Sequence, residues 1–292
     1  MNANEVIGHL AGAHANDDVN RGQSSNDVIP TTLHLATGKT APPSSCTAWD
    51  NGGTMRALYA GTSGFAYPAW RPGFYPDKLP QSKFLAHYAG RLNAVEINYT
   101  FRRTPPLSTL ERWVETTPPG FVFALKAHQR ITHVRRLKDA GAAAEFFFKA
   151  IDPLRSARRL GPVLFQLPPN LKCDLETLRA FLMLLPGDIR CAMEFRHPSW
   201  LVPEVYALLQ GAGVSLCVAE SDKIETPEVV TANFVYYRLR KPQYSPEELD
   251  SIAARSREMV AAGRDLFLFF KHEEDPSSAL NAEKVLRAQV SV

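Results

Sequence analysis

The chain has 292 residues, 45% of them hydrophobic and 22% charged, with a formal net charge of +3. That composition suits a globular protein with room for one barrel of roughly 240 residues plus an extension, and the charge is too small to mark a nucleic-acid binder. There is no apolar run near the ~18 residues a membrane helix needs, no basic-then-apolar leader, and no CxxC spacing among the four cysteines, so a reduced, cytoplasmic protein away from membranes is expected.

Composition changes near residue 40. Within the first 38 residues, Ser24-Ser25-Asn26-Asp27 and His14-Ala15-Asn16-Asp17 stand out. The stretch from Asn2 to Ala36 resembles a segment of the fumarase/aspartase superfamily, in which SSND and HPND stretches help to bind a dicarboxylate; Ala15 stands where that family has proline. The resemblance covers a small part of a long family and lacks its bundle helices and catalytic-serine loop. Residues 1–38 are therefore expected to be a non-functional, poorly ordered extension. Residues 39–54, rich in Pro, Gly, Ser and Thr, read as a linker, and 55–292 as the folded domain.

From there eight short apolar runs follow, most of them closed by a polar residue: Ala57–Ala60, Ala94–Asn98, Phe121–Lys126, Val163–Gln166, Cys191–Arg196, Val214–Glu220, Phe234–Arg238 and Leu266–Lys271. Each reads as a buried strand. Helical patterns lie between them at Ser82–Leu92, Pro106–Glu115, Leu175–Leu185 (capped by Asp174), Pro203–Leu209, the stretch opened by Ser245-Pro246-Glu247-Glu248, and Ser278–Val290. The segment from Ser221 to Thr231 contains Pro227 and lacks a helical stripe. The expected fold is α/β, a (β/α)8 TIM barrel, with an open doubly wound sheet as the alternative.

Period-two phase places Glu96 with Asn98, Ala124 with Lys126, and Glu194 with Arg196 on the faces pointing into the barrel, opposite bulkier residues. Active sites of such barrels lie at the carboxyl ends of the strands. Glu96, Lys126, Glu194 and His197 are the candidate catalytic residues; Gly61, Asn98, Gln166, Arg196, Arg238 and Lys271 are candidates for binding substrate. Gly61-Thr62-Ser63-Gly64 is either an anion-binding loop or a strand-exit turn. The two glutamates are either a general base with its electrostatic partner or structural ion pairs, and His197 either transfers a proton or bonds its own loop. Residues 126–138 carry five Lys or Arg, two His and no acid. No metal-ligand spacing stands out, the cluster His272, Glu273 and Glu274 included, and no cofactor is specified.

Ala60-Gly-Thr-Ser-Gly-Phe65, Phe74-Tyr-Pro76, Val95-Glu-Ile-Asn98, Ile131-Thr-His133, Gln166-Leu-Pro-Pro169, Glu194-Phe-Arg-His197 with Trp200, and Tyr237-Arg-Leu239 occur in this order. Through them residues 57–290 resemble the YecE-like family, also called domain of unknown function 72. The resemblance implies a TIM barrel and no established activity. Arg102 stands where the family's FYR triplet has tyrosine. The expected function is that of an enzyme acting on a small phosphorylated or otherwise anionic substrate, a phosphoester or sugar phosphate, at the barrel mouth. Nucleic-acid binding or processing, and a non-catalytic ligand-binding barrel, are the alternatives. Whether the protein is an enzyme stays open.

Overall fold

The computed structural model describes residues 47–49, 55–221, 223–271 and 274–289. The extension 1–38, most of the linker, and His272 with Glu273 lie outside the described residues. A short strand β1 (Thr47–Trp49) pairs antiparallel with the start of β2 (Met55–Ser63). Seven further strands follow: β3 (Ala94–Ile97), β4 (Val122–Lys126), β5 (Leu160–Gln166), β6 (Cys191–Glu194), β7 (Ser215–Ala219), β8 (Phe234–Leu239) and β9 (Asp265–Phe270). From β2 to β9 each strand lies parallel to the next, and β9 returns to β2 in the register Leu58↔Leu266 to Thr62↔Phe270. That closure makes a barrel and excludes the open doubly wound sheet. All eight expected apolar runs form its staves.

Helices cover the outside: α1 (Phe84–Ala89), α2 (Leu107–Thr116), α3 (Gly141–Ser156), α4 (Leu175–Leu182), α5 (Pro203–Gly211), α6 (Pro246–Ala261) and α7 (Ser277–Arg287). Asp174 caps α4 by accepting from the Thr177 N–H at 3.0 Å. Ser245 and Glu248 form a capping box at α6, as the sequence pattern requires. The 141–156 stretch, unassigned from the sequence, forms α3. Among its described residues the β7–β8 connection has no helix; Glu228 within it accepts from Tyr237 Oη and from Arg255 Nε.

Strand alternation divides the core into two. Val95, Ile97, Phe123, Leu125, Val163, Phe165 and Met193 pack outward among the helix side chains. Ala94, Ala124, Leu164, Ala192, Cys217, Tyr236, Phe267 and Phe269 fill the barrel interior. Three alanines facing large rings suit a closed barrel, where small and large side chains must share a narrow lumen. Trp70, Tyr75 and Trp200 are fully buried core aromatics. At the amino-terminal end Asp265 closes the barrel, accepting from the Ala57 N–H at 3.0 Å and from Arg190.

Candidate functional site

At the opposite end of the barrel the interior turns from apolar to charged. Arg238 continues the inward phase of Phe234 and Tyr236 on β8 and is 1% exposed. Its Nη1 donates to Glu194 Oε2 at 2.6 Å and to Gln166 Oε1 at 3.3 Å. Its Nη2 donates to Glu96 Oε1 at 2.7 Å and, more weakly, to Asn98 Oδ1 at 3.5 Å. One guanidinium thus ties together strand ends from β3, β5, β6 and β8.

Both glutamates are bonded on both oxygens. Glu96 Oε1 also accepts from Ser63 Oγ at 2.6 Å and from Asn98 Nδ2 at 3.3 Å, while Tyr236 Oη donates to Oε2 at 2.7 Å. Glu194 Oε1 accepts from Arg196 Nε and from Arg240 Nη2, both at 2.8 Å. Burial alone would raise both carboxyl pKa values. Arg238 and the bonds from Ser63 and Tyr236 nevertheless hold Glu96 below the usual range; Arg238, Arg240 and Arg196 hold Glu194 well below it. Each carboxylate oxygen already accepts at least one hydrogen bond, and the arginines favour the ionised form of both. The geometry matches the structural ion-pair alternative rather than a general base.

Lys126 differs. Its Nζ donates to Gln166 Oε1 at 3.1 Å and lies 4.2 Å from the centre of the Phe101 ring. Among the described residues it makes no ion pair, although two carboxylates sit in the same cluster. Burial first, and then the Arg238 charge, bring its pKa down from 10.5 to about 8. The backbone holds it in place: Thr100 Oγ1 donates to the Lys126 carbonyl at 2.6 Å. His133, on a π-helical turn over Arg130–Val134, meets the Phe101 ring edge-on at 4.8 Å. Burial and the nearby charges of Lys126, Arg196 and Arg136 lower its pKa.

The side-chain ion pairs of Arg196, Arg238 and Arg240 go to Glu96 and Glu194, and Lys126 has none among the described residues. Glu220 accepts from the Arg240 backbone N–H at 2.6 Å, and Lys223 and Lys241 add further cations beside them. Three of those cations, Lys126, Arg196 (3.2 Å) and Arg238, converge on the neutral Gln166 oxygen. Positive charge is therefore in excess. Beside the cluster lies an open cavity of about 530 Å³ lined by Arg196, Arg240, Lys223, Lys241 and Glu220, among others. A larger concavity, about 780 Å³, surrounds Arg190 and Arg264 at the other end of the barrel, away from this cluster.

Of the residues nominated from sequence, Glu96, Asn98, Lys126, Gln166, Glu194, Arg196 and Arg238 gather within one hydrogen-bonded network. Lys271, half-buried, follows Phe267 and Phe269 in phase at the same end, with its N–H donating to Leu239 O at 2.8 Å. Two nominations lie outside the network. Gly61 lies inside β2, and the Thr62 and Gly64 N–H groups already donate to Tyr88 Oη and Glu96 O, so no anion-binding loop forms there. His197 Nδ1 accepts from the Ser199 N–H at 3.2 Å and caps the turn Pro198–Trp200. Its partners are in its own loop, as the second of its two sequence readings requires. Sequence reasoning missed Arg240, Tyr236 and Ser63 as members of the network. Period-two phase extended past Leu239 would have found Arg240. Among the described residues no group of three or more His, Cys, Asp or Glu could hold a metal.

Fold and site together define a (β/α)8 barrel with a cation-rich network at the carboxyl ends of its strands. A family model described as "Protein of unknown function DUF72" matches residues 59–291, and the chain belongs to that family. The UPF0759 protein YunF of Bacillus subtilis (strain 168) is 27% identical over 267 residues, covering 78% of this chain and 93% of that protein. The solved structure of a DUF72 family protein from Thermotoga maritima MSB8 superposes with a TM-score of 0.70 at 28% identity, covering 79% of this chain and 98% of that one. Separately, a model described as "Lyase" matches residues 1–42. Fumarate hydratase class II of Listeria monocytogenes serotype 4b (strain F2365) is 54% identical over 43 residues, or 12% of this chain and 10% of that enzyme. No helix among the described residues is long and apolar enough to cross a membrane.

Proposed function

We propose that the barrel mouth binds a small anionic substrate, with a phosphate or carboxylate held by Arg196 and Arg240 and chemistry performed at Lys126. One observation carries this: four cations packed around the carboxylates of Glu96 and Glu194, three of these cations converging on the uncharged Gln166 oxygen. An incoming anion supplies the missing negative charge, and guanidinium forks suit phosphate or carboxylate oxygens. Glu96 and Glu194 act by fixing the arginines. Lys126, with a pKa near 8, is the group that can give up and regain a proton near neutral pH.

The basic loop after β4 supports a nucleic-acid surface less well. Arg130, Arg135 and Lys138 are exposed there, but Arg136 bonds Asn170, Lys138 pairs with Asp174 at 3.7 Å, and the loop adds no Phe, Tyr or Trp stacking face to that surface. The test is a binding series by calorimetry with inorganic phosphate, glycerol 3-phosphate and neutral glycerol. The phosphorylated compounds should bind and glycerol should not. Arg196→Ala and Arg240→Ala should each weaken binding by about 10- to 100-fold, in line with ~1.5–3 kcal/mol for a hydrogen bond to a charged group. Equal affinity for glycerol and glycerol 3-phosphate, or wild-type affinity in both variants, would overturn this function.

A further inference from the structure

We infer that the substrate is an aldehyde or ketone carrying an anionic group, and that Lys126 captures its carbonyl carbon as an imine. The inference rests on the anion-binding function just proposed and adds the identity of the reacting group. Three features of the geometry support it.

First, Lys126 is the cation in the network without a carboxylate. Arg196, Arg238 and Arg240 each bond Glu194, and Arg238 also bonds Glu96; Lys126 bonds only an amide oxygen. An ammonium meant purely as a fixed charge would gain most from pairing with one of those glutamates. Second, Lys126 is half-buried among guanidinium groups, sharing the Gln166 oxygen with Arg196 and Arg238. Such a partly desolvated setting favours the neutral, nucleophilic amine, and its lowered pKa agrees. Third, Lys126 Nζ and Arg196 Nη2 share the Gln166 Oε1 acceptor, at 3.1 and 3.2 Å. Amine and guanidinium therefore stand within two hydrogen-bond lengths of each other, the separation between the carbonyl carbon and the anionic group of a short-chain molecule. Arg196 also lines the open cavity, which gives that anionic group a way in.

The step balances without an oxidant or reductant. The neutral amine attacks the carbonyl carbon, a C–N bond forms, and the C=O π pair moves to oxygen, which takes a proton. The resulting carbinolamine loses that oxygen as water with one further proton, and the nitrogen lone pair closes the C=N bond. Relative to lysine ammonium and carbonyl, the products are a protonated imine and water.

The full-length protein is incubated with glyceraldehyde 3-phosphate and cyanoborohydride, then read by intact mass and peptide mapping. Glyceraldehyde serves as the neutral carbonyl control, and glycerol 3-phosphate as the anionic control that has no carbonyl. The expected result is one reduced adduct at Lys126, formed at least tenfold faster than with glyceraldehyde and suppressed by glycerol 3-phosphate. Lys126→Arg, which keeps the charge, should fold and lose that adduct. If glycerol 3-phosphate binds while no adduct forms at Lys126, imine capture is wrong and the anion site stands. If neither phosphorylated compound binds, both inferences fall. Labelling spread evenly over the exposed lysines, or unchanged in Lys126→Arg, also overturns imine capture.

Discussion

At the scale of single residues, the charged groups of the mouth divide by how they are partnered. Glu96 and Glu194 are buried and bonded on every oxygen, whereas Lys126 is held by one amide oxygen and a ring face. Protonated Lys126 is therefore a liability to the folded state. Its pKa falls from 10.5 unfolded to about 8 folded, so between those values the unfolded chain binds the extra proton and stability rises with pH. Below about pH 8 the cost is present in full. Lys126→Met should thus be more stable than wild type at pH 7 by ~1–3 kcal/mol, the shift being discounted for the lost Gln166 bond. The advantage should shrink towards zero by about pH 10.5. Urea unfolding of both proteins across this range checks it; a difference that stays flat with pH contradicts the burial of the charge.

At the scale of elements, the barrel is pinched where β2 meets β3. A Cβ on Gly61 would stand 1.9 Å from the Ala94 carbonyl oxygen and 2.8 Å from Tyr88 Oη. The carbonyl belongs to a strand in register with β2 (Gly61↔Ala94), so it cannot step aside without moving the barrel wall. Gly61→Ala should cost about 3 kcal/mol or more, the upper end for overpacking a core, or prevent folding. Gly187→Ala is the control: a Cβ there meets nothing within 4 Å, and stability should change by less than ~0.5 kcal/mol. Denaturant midpoints compare the two. The same pinch explains why a glycine that looked like part of a ligand loop proves to be a packing residue.

At the scale of the whole molecule, every strand among the described residues and every member of the charged network lies within Ser45–Val292. A chain beginning at Ser45 should unfold cooperatively with a midpoint within ~3 °C of the full chain, since a change of 1 kcal/mol moves a domain of this size by only about 2–4 °C. A drop of ~10 °C or more, seen by circular dichroism, would mean that residues 1–44 contribute to the stability of the barrel.

The eight strands, their closing polar residues and the capped helices α4 and α6 were legible along the chain, because strand period, helix period and N-cap chemistry are local signals. Phase also placed Glu96, Lys126, Glu194 and Arg196 on inward faces without any coordinates. It could not say which inward charges would pair. Ser63, Glu96, Lys126, Gln166, Glu194, Arg238 and Arg240 come from strand ends up to 177 positions apart, and only closure of β9 on β2 brings them within bonding distance. Tertiary structure alone therefore decided that the glutamates pair with arginines while Lys126 bonds an amide oxygen, because a side chain's partners depend on which groups surround it in space.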